Sequence, residues 1–300
     1  MDNYTDKTKV ILDERFNQAI DGIYYSHQPI YGYRSKYSAE SNISRHIITK
    51  SILNALNHYS FSTFIDIGGA EGYTAHLVRK LFGAKVMSTD LSEAACKRAE
   101  EIFDIEAVPC DIHSLPFADN QFDAVLCSET IEHVTNYQQA IRELLRITKE
   151  ILVITVPHES QEEVDANIRN NVPHGHINYF EVQTLDYLKK EGYTLSYEKT
   201  LSPLLIVPRV MAEATRKDKG GLPYKLYNSI TPFLRKIFNI KTAIRLVNAD
   251  AKFCRIFKRY SGITFVIEKG NTLSRIHPRK AITAKDFIYE TVPPYRLNGS

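Results

Sequence analysis

Glu129, Glu132 and His133 stand within five residues of one another, and two further histidines follow at His174 and His176. Carboxylates and neutral imidazoles that converge at one mouth can take a proton from a hydroxyl. They can also hold a divalent cation that lowers the pKa of that hydroxyl. An imidazole titrates near neutral pH, so a histidine is the natural proton acceptor of such a set. A second group lies earlier, at Asp66, Gly68, Gly69 and Gly72, with Asp90 eighteen residues after Gly72. Glycines at a turn let the backbone approach a ligand closely, and an acid at the end of the next strand can accept hydrogen bonds from ribose hydroxyls. A dinucleotide fingerprint spaces its glycines G-x-G-x-x-G around a pyrophosphate, which an anionic Asp66 would repel. An acid at that position suits a ligand that carries positive charge.

The elements that must position these groups can be read from the apolar runs. Phe64, Ile65 and Ile67 suit a buried parallel strand, Gly72 to Phe82 a helix whose N-terminus points at the ligand, and Ala84 to Thr89 a second strand. Lys149 to Pro157 reads as a further strand, Phe180 to Gly192 as a helix, Tyr193 to Thr200 as the next strand, and 262–269 as the last. Residues 159–171 read as polar and loop-like or loosely helical. Before the first strand, Leu12, Phe16 and Ile20, then Ile43 through Leu56, recur at helical spacing around a loop from Tyr24 to Tyr37 that carries five tyrosines. The expectation is an α/β fold, a Rossmann-like seven-stranded and mostly parallel sheet flanked by helices.

Asp66 to Gly72 resembles the first motif of class I S-adenosylmethionine-dependent methyltransferases, D/E-x-G-x-G-x-G, with Ala70 in place of the middle glycine. The likeness continues through Cys110 to Phe117 and Asn120 to Val134, and it covers roughly residues 45–200 with a final strand near 262–269. It implies S-adenosyl-L-methionine as cofactor, held by Asp66, Gly68, Gly69, Gly72, Asp90 and Leu91. By the same likeness Asp111 faces the adenine amino group, Ile112 packs on the ring, and Glu129 borders donor and acceptor. His133 takes the general-base position with Glu132 beside it as the catalytic pair. Ubiquinone-biosynthesis O-methyltransferases and small-RNA 2′-O-methyltransferases carry E-x-x-E-H after the fourth strand, and the latter add a later histidine, which His174 or His176 resembles. The base reading needs no metal; if the enzyme is metal-dependent, the implied ligands are Glu129, Glu132, His133 and His176. Ser128-Glu129-Thr130-Ile131 stands where an N-methyltransferase would place N/D-P-P-Y/F, which disfavours N-methylation.

The 300 residues, 43% of them hydrophobic, suffice for one catalytic domain with additions. The boundaries read as a helical segment or lid over 1–58, a donor-binding core over 59–202, a basic helical insertion over 203–260, the last core strand over 261–270 and a tail over 271–300, either packed or extended. The insertion holds thirteen Lys or Arg against three Asp or Glu, a net of +10, so the remainder carries −7 within the overall +3. Such a surface suits an anionic membrane at the periphery, or a polyanionic substrate. Cys96, Cys110, Cys127 and Cys254 show no C-x-x-C spacing and read as reduced thiols. The polar N-terminus and the absence of a spanning apolar run point to a cytoplasmic protein. The favoured function is O-methylation of a small molecule, a sugar or a glycan- or lipid-linked intermediate. RNA 2′-O-methylation stands second, and a catalytically silent donor-binding subunit third.

Overall fold

The computed structural model describes residues 3–33, 35, 37, 42–202, 239–270, 275–278 and 280–295. Seven strands form one sheet in the order β5-β4-β3-β6-β7-β9-β8. They are β3 (Thr63–Ile67), β4 (Lys85–Asp90), β5 (Ala107–Pro109), β6 (Phe122–Ser128), β7 (Thr148–Pro157), β8 (Thr194–Thr200) and β9 (Gly262–Glu268), preceded by the two-residue strands β1 (Ala19–Ile20) and β2 (Ile23–Tyr24). Neighbours from β5 to β7 run parallel, whereas β9 is antiparallel to both β7 and β8.

The parallel strands are buried on both faces, so they read as unbroken apolar runs rather than alternating ones. Phe64, Ala124, Leu126, Ile151 and Val153 face one core, which continues through Ile52, Leu53 and Leu56 of α2 (Asn42–Leu56). Ile65, Ile67, Val125, Cys127, Leu152 and Ile154 face the other, closed by Ile141, Leu144 and Leu145 of α5 (Tyr137–Ile147). Helix α3 (Tyr73–Phe82) lies between left-handed glycines, Gly72 at φ 77° and Gly83 at φ 71°. Ser92 caps α4 (Glu93–Phe103) by accepting from the Ala95 amide at 3.2 Å. Since β3 is followed outward by β4 and β5 but joined on its other side by β6, the carboxyl ends of β3 and β6 border the topological switch point, where such sheets place their ligands.

Several local expectations are corrected. Residues 180–192 hold only a short helix, α7 (Tyr187–Lys190). The Thr184 hydroxyl accepts from the Glu181 amide, and Thr184 N to Glu181 O and Asp186 N to Gln183 O close three-residue turns that break the α-helical ladder. Residues 159–171 contain a defined helix, α6 (Gln161–Arg169), because Ser160 and Glu163 form a reciprocal capping box. The first helix, α1 (Asn3–Phe16), starts upstream of the expected stripe.

Of the basic insertion, 203–238 lies outside the described residues, and Ile240–Phe257 forms α8. This helix packs through Ala243, Ile244, Val247 and Cys254, while its Asp250 carboxylate accepts from the amides of Leu201 and Ser202 at 2.8 Å each. The tail packs on the core where it is described: Ala284, Phe287 and Ile288 are buried, and Tyr295 stacks on Tyr24. No described helix is long and apolar enough to cross a membrane.

Candidate functional site

A cleft of about 300 Å³ opens at the switch point, between the strand ends and the two N-terminal helices. One side belongs to the glycine turn and the acids that follow it. Gly68 has φ 75° and a Cβ there would sit 2.3 Å from Thr130 Oγ1; a Cβ on Gly69 would sit 2.3 Å from Ser88 Oγ. Ala70 adopts φ 49°, a conformation that favours glycine, and this shows why the related motif has glycine here. The Ala70 amide donates to Asp90 Oδ2 at 3.1 Å and the Ser92 amide to Oδ1 at 2.9 Å, so two backbone donors fix the Asp90 carboxylate on the wall. Burial raises the Asp90 pKa to about 6 against the pull of those amides. Asp111 Oδ1 accepts from the His113 amide at 2.9 Å and meets the His113 ring at 2.7 Å, with Cys110 and Ile112 beside it on the wall.

The expected donor residues divide. Gly68, Asp90, Leu91, Asp111, Ile112 and Glu129 line the cleft, whereas Asp66, Gly69 and Gly72 stand behind its surface. Asp66 is 2% exposed, and burial followed by the Asp90 charge pushes its pKa up to about 7. Glu71 is also buried; it accepts from the His27 amide at 2.7 Å and lies 3.9 Å from Arg98, joining the turn to the N-terminal loop.

The other side is built at the end of β6. Glu129 has φ 51°, and its carboxylate accepts from the Thr155 hydroxyl at 3.1 Å. A single 3-10 turn over Ile131–His133 then places Glu132 and His133 together, with the Glu132 carbonyl accepting from the amides of Ile177 and Asn178. Burial holds both glutamates above their usual pKa, and the Glu129 charge raises Glu132 further. His133 Nδ1 lies 3.1 Å from the Gly175 carbonyl, which can only accept, so the proton of the neutral ring sits on Nδ1. The lone pair is thereby on Nε2, which is 3.7 Å from Glu132 Oε1. His176 repeats the arrangement, its Nδ1 at 2.7 Å from Glu159 Oε2. Ligand atoms of Glu132, His133 and His176 all lie within 4.8 Å of one another. Glu129 lines the same cleft but is not within that group. Burial and the adjacent rings of His174 and His176 hold His133 well below its usual pKa, and His174 stacks on it at 3.8 Å between centroids.

Besides Leu12 and Phe16 of the expected apolar stripe, the N-terminal segment supplies lining residues that the sequence did not single out: Tyr4 and Arg15 from α1, His27 and Gln28 from the following loop, and Arg45 from α2. No spacing signal links them to one another or to the motifs, since chain folding alone brings them over the cleft.

Residues 65–152 match a protein-family model described as a methyltransferase domain, Methyltransf_11. The ubiquinone/menaquinone biosynthesis C-methyltransferase UbiE of Klebsiella pneumoniae subsp. pneumoniae is 29% identical over 96 residues, which is 29% of this chain and 38% of that protein. UbiE of Ectopseudomonas oleovorans is 33% identical over 94 residues, 28% of this chain and 55% of that one. The chain thus covers less than two thirds of the length of either relative. A solved structure from Galdieria sulphuraria, provisionally named a sarcosine dimethylglycine methyltransferase, shares the fold at a TM-score of 0.51 and 14% identity, covering 89% of this chain and 99% of that one. With the motif, the sheet order and the matched domain in agreement, the chain carries a methyltransferase domain of the class I S-adenosylmethionine-dependent type.

Proposed function

We propose that this chain moves the methyl group of S-adenosyl-L-methionine to a hydroxyl oxygen of a small molecule, a sugar or a glycan- or lipid-linked intermediate. The observation that carries this reading is the convergence of Glu132, His133 and His176 on the cleft that also holds Asp90 and Asp111. The donor supplies a methyl carbon already activated by a sulfonium, so the protein's task is alignment and removal of the acceptor proton. The residues present fit the donor. A Cβ would fill the space kept open at Gly68, each Asp90 oxygen takes one backbone donor, and Asp111 and Ile112 offer an acid and an apolar face further along the wall. His133 would receive the proton at Nε2, and the nearby Glu132 carboxylate would stabilise the resulting imidazolium.

A metal-assisted form of the same reaction is favoured by one specific feature. The bonds at Nδ1 of His133 and His176 orient both rings, as outer partners of metal-bound histidines do. His133 so far below its usual pKa is a weak base but remains a neutral ligand. A divalent cation on Glu132, His133 and His176 would lower the acceptor hydroxyl's pKa. Exhaustive chelation of purified protein tests this, and unchanged turnover would remove the metal.

The acceptor class is tested by incubating the protein with methyl-labelled donor and separated lipid, glycan and RNA fractions. Label as an ether in the glycan or lipid fraction supports the proposal; label confined to RNA would move the function there. A new carbon–carbon bond would align it with the C-methyltransferase named among its relatives. Donor binding with no label in any fraction would leave a silent subunit. For the anionic-membrane contact, support comes from α8, which exposes Lys241, Arg245, Lys252 and Arg255 beside exposed Ile256 and Phe257. Reversing Lys252 and Arg255 to Glu should weaken sedimentation with phosphatidylglycerol vesicles by about 1 kcal/mol per charge removed, and equal sedimentation would argue against it.

A further inference from the structure

Two guanidinium groups line the same cleft as the Glu132–His133–His176 cluster, and the reaction described above uses neither. Arg15 lies in the last turn of α1 and Arg45 in the first turn of α2, 30 residues apart in sequence, and only the packing of these helices over the strand ends brings both to one cleft. Among the described residues, neither makes an ion pair with a carboxylate. Arginine stays protonated at any pH at which the fold persists, so this cleft carries two fixed like charges.

Three of the acids around them are already hydrogen-bonded, and the fourth, Glu132, stands against His133. Asp90 is held by the Ala70 and Ser92 amides, Asp111 by His113 and Glu129 by Thr155, while Glu132 faces His133. Arg45 acts favourably on the charges of Glu129 and Glu132 but does not contact them as a salt bridge. Arg15 acts on the histidine side, on His27, His133 and His174. Arg15 is exposed and Arg45 half-buried, so both can meet an incoming anion, and a fork-shaped guanidinium matches carboxylate and phosphate oxygens in particular. Phe16, His27 and His174 add aromatic rings to the same cleft. The transferable methyl is part of a cation, so paired arginines do not serve the sulfonium.

We propose that Arg15 and Arg45 form an anion-recognition subsite for the methyl acceptor, which carries a carboxylate or phosphate on a ring-containing scaffold next to the hydroxyl that reacts. This rests on the reading of the cleft as a joint donor and acceptor site. The test is calorimetric titration of the full chain, first with S-adenosylhomocysteine and then, on the loaded protein, with phenyl phosphate, benzoate and phenol. Phenyl phosphate or benzoate should bind at least tenfold more tightly than phenol, and the better of the two identifies the anion. Arg15→Gln and Arg45→Gln should each reduce that preference at least fivefold, Arg15→Lys should retain part of it, and all variants should keep the thermal midpoint and the S-adenosylhomocysteine affinity. Equal binding of phenol and both anions would overturn the proposal while leaving the donor reading intact. A fall in S-adenosylhomocysteine affinity in the glutamine variants, with the anion preference unchanged, would overturn it by giving the arginines to the donor's own carboxylate. Failure of the wild-type protein to bind S-adenosylhomocysteine at all would overturn the underlying site reading, and the proposal with it.

Discussion

The two walls of the cleft are built on opposite principles. The wall proposed for the donor comes from consecutive strand ends, where Gly68, Asp90 and Asp111 stand at or just past the end of a strand of one parallel run, and nearby backbone amides hold its acids. The wall proposed for the acceptor gathers Arg15, Arg45, Glu132, His133, His174 and His176 from four separate segments, and its histidine rings are held by a side chain and a carbonyl distant in sequence. A wall made of local turns is fixed by the sheet itself. One made of distant segments can change its chemistry without disturbing the sheet, which suits a family that keeps one donor and varies the acceptor.

The largest expected effect divides the walls most sharply. His133→Ala should lower turnover by about 10²- to 10⁴-fold on whichever fraction accepts label, with S-adenosylhomocysteine affinity nearly unchanged. A collapse of donor affinity instead would mean that the two walls are one structural unit. Gly68→Ala should act on the other side: the new Cβ meets Thr130 at a backbone conformation that disfavours alanine, costing about 2 kcal/mol or more in urea stability and weakening donor binding. Because Thr130 belongs to the acceptor-side segment, a second change, Thr130→Ser, should relieve part of the clash. No relief would place the cost in backbone strain alone. Asp90→Ala should weaken donor binding by about 1 to 3 kcal/mol, and unchanged affinity would remove Asp90 from the donor site.

The remaining effect concerns the acid behind the donor wall and is spread over the pH scale. Asp66 has a folded pKa of about 7 against an ordinary 3.8, so between those values the folded chain keeps a proton that the unfolded chain has lost. Its contribution is present below about pH 4 and drains away as pH rises to about 7, by up to roughly 1.4 kcal/mol per pH unit. Asp66→Asn cannot ionise, so urea titrations should show the variant gaining on the wild-type protein across that window and then running parallel above it. A difference that stays constant with pH would mean that Asp66 ionises in the fold as it does in the unfolded chain.

How far each wall could be read in advance follows from the same contrast. Apolar runs, the Asp66–Gly72 turn and the Asp90 and Asp111 positions repeat at βα spacing, so periodicity carries the sheet and much of the donor wall. Where short-range competition decided the outcome, periodicity was not enough: the Thr184 hydroxyl broke an expected helix, and the Ser160–Glu163 box fixed a helix in a segment that read as loop-like or loosely helical. Asp66 was legible as a motif acid, but its position behind Gly69 rather than on the cleft wall depends on the pleat of β3 against Ser88.

The sequence by itself determined the class of fold and the class of donor, because the spacing of strands, glycines and acids is a local property that each βα unit expresses alone. Tertiary structure decided the rest. It gathered Glu132, His133 and His176 to within 4.8 Å, set their tautomers through Gly175 and Glu159, and brought Arg15 and Arg45 over the same opening. Glu159 and His176, Arg15 and Arg45, His133 and Gly175, and Glu132 and His176 stand 17, 30, 42 and 44 positions apart, and no local pattern encodes their meeting; only the packing of loops and helices over the sheet's carboxyl edge does.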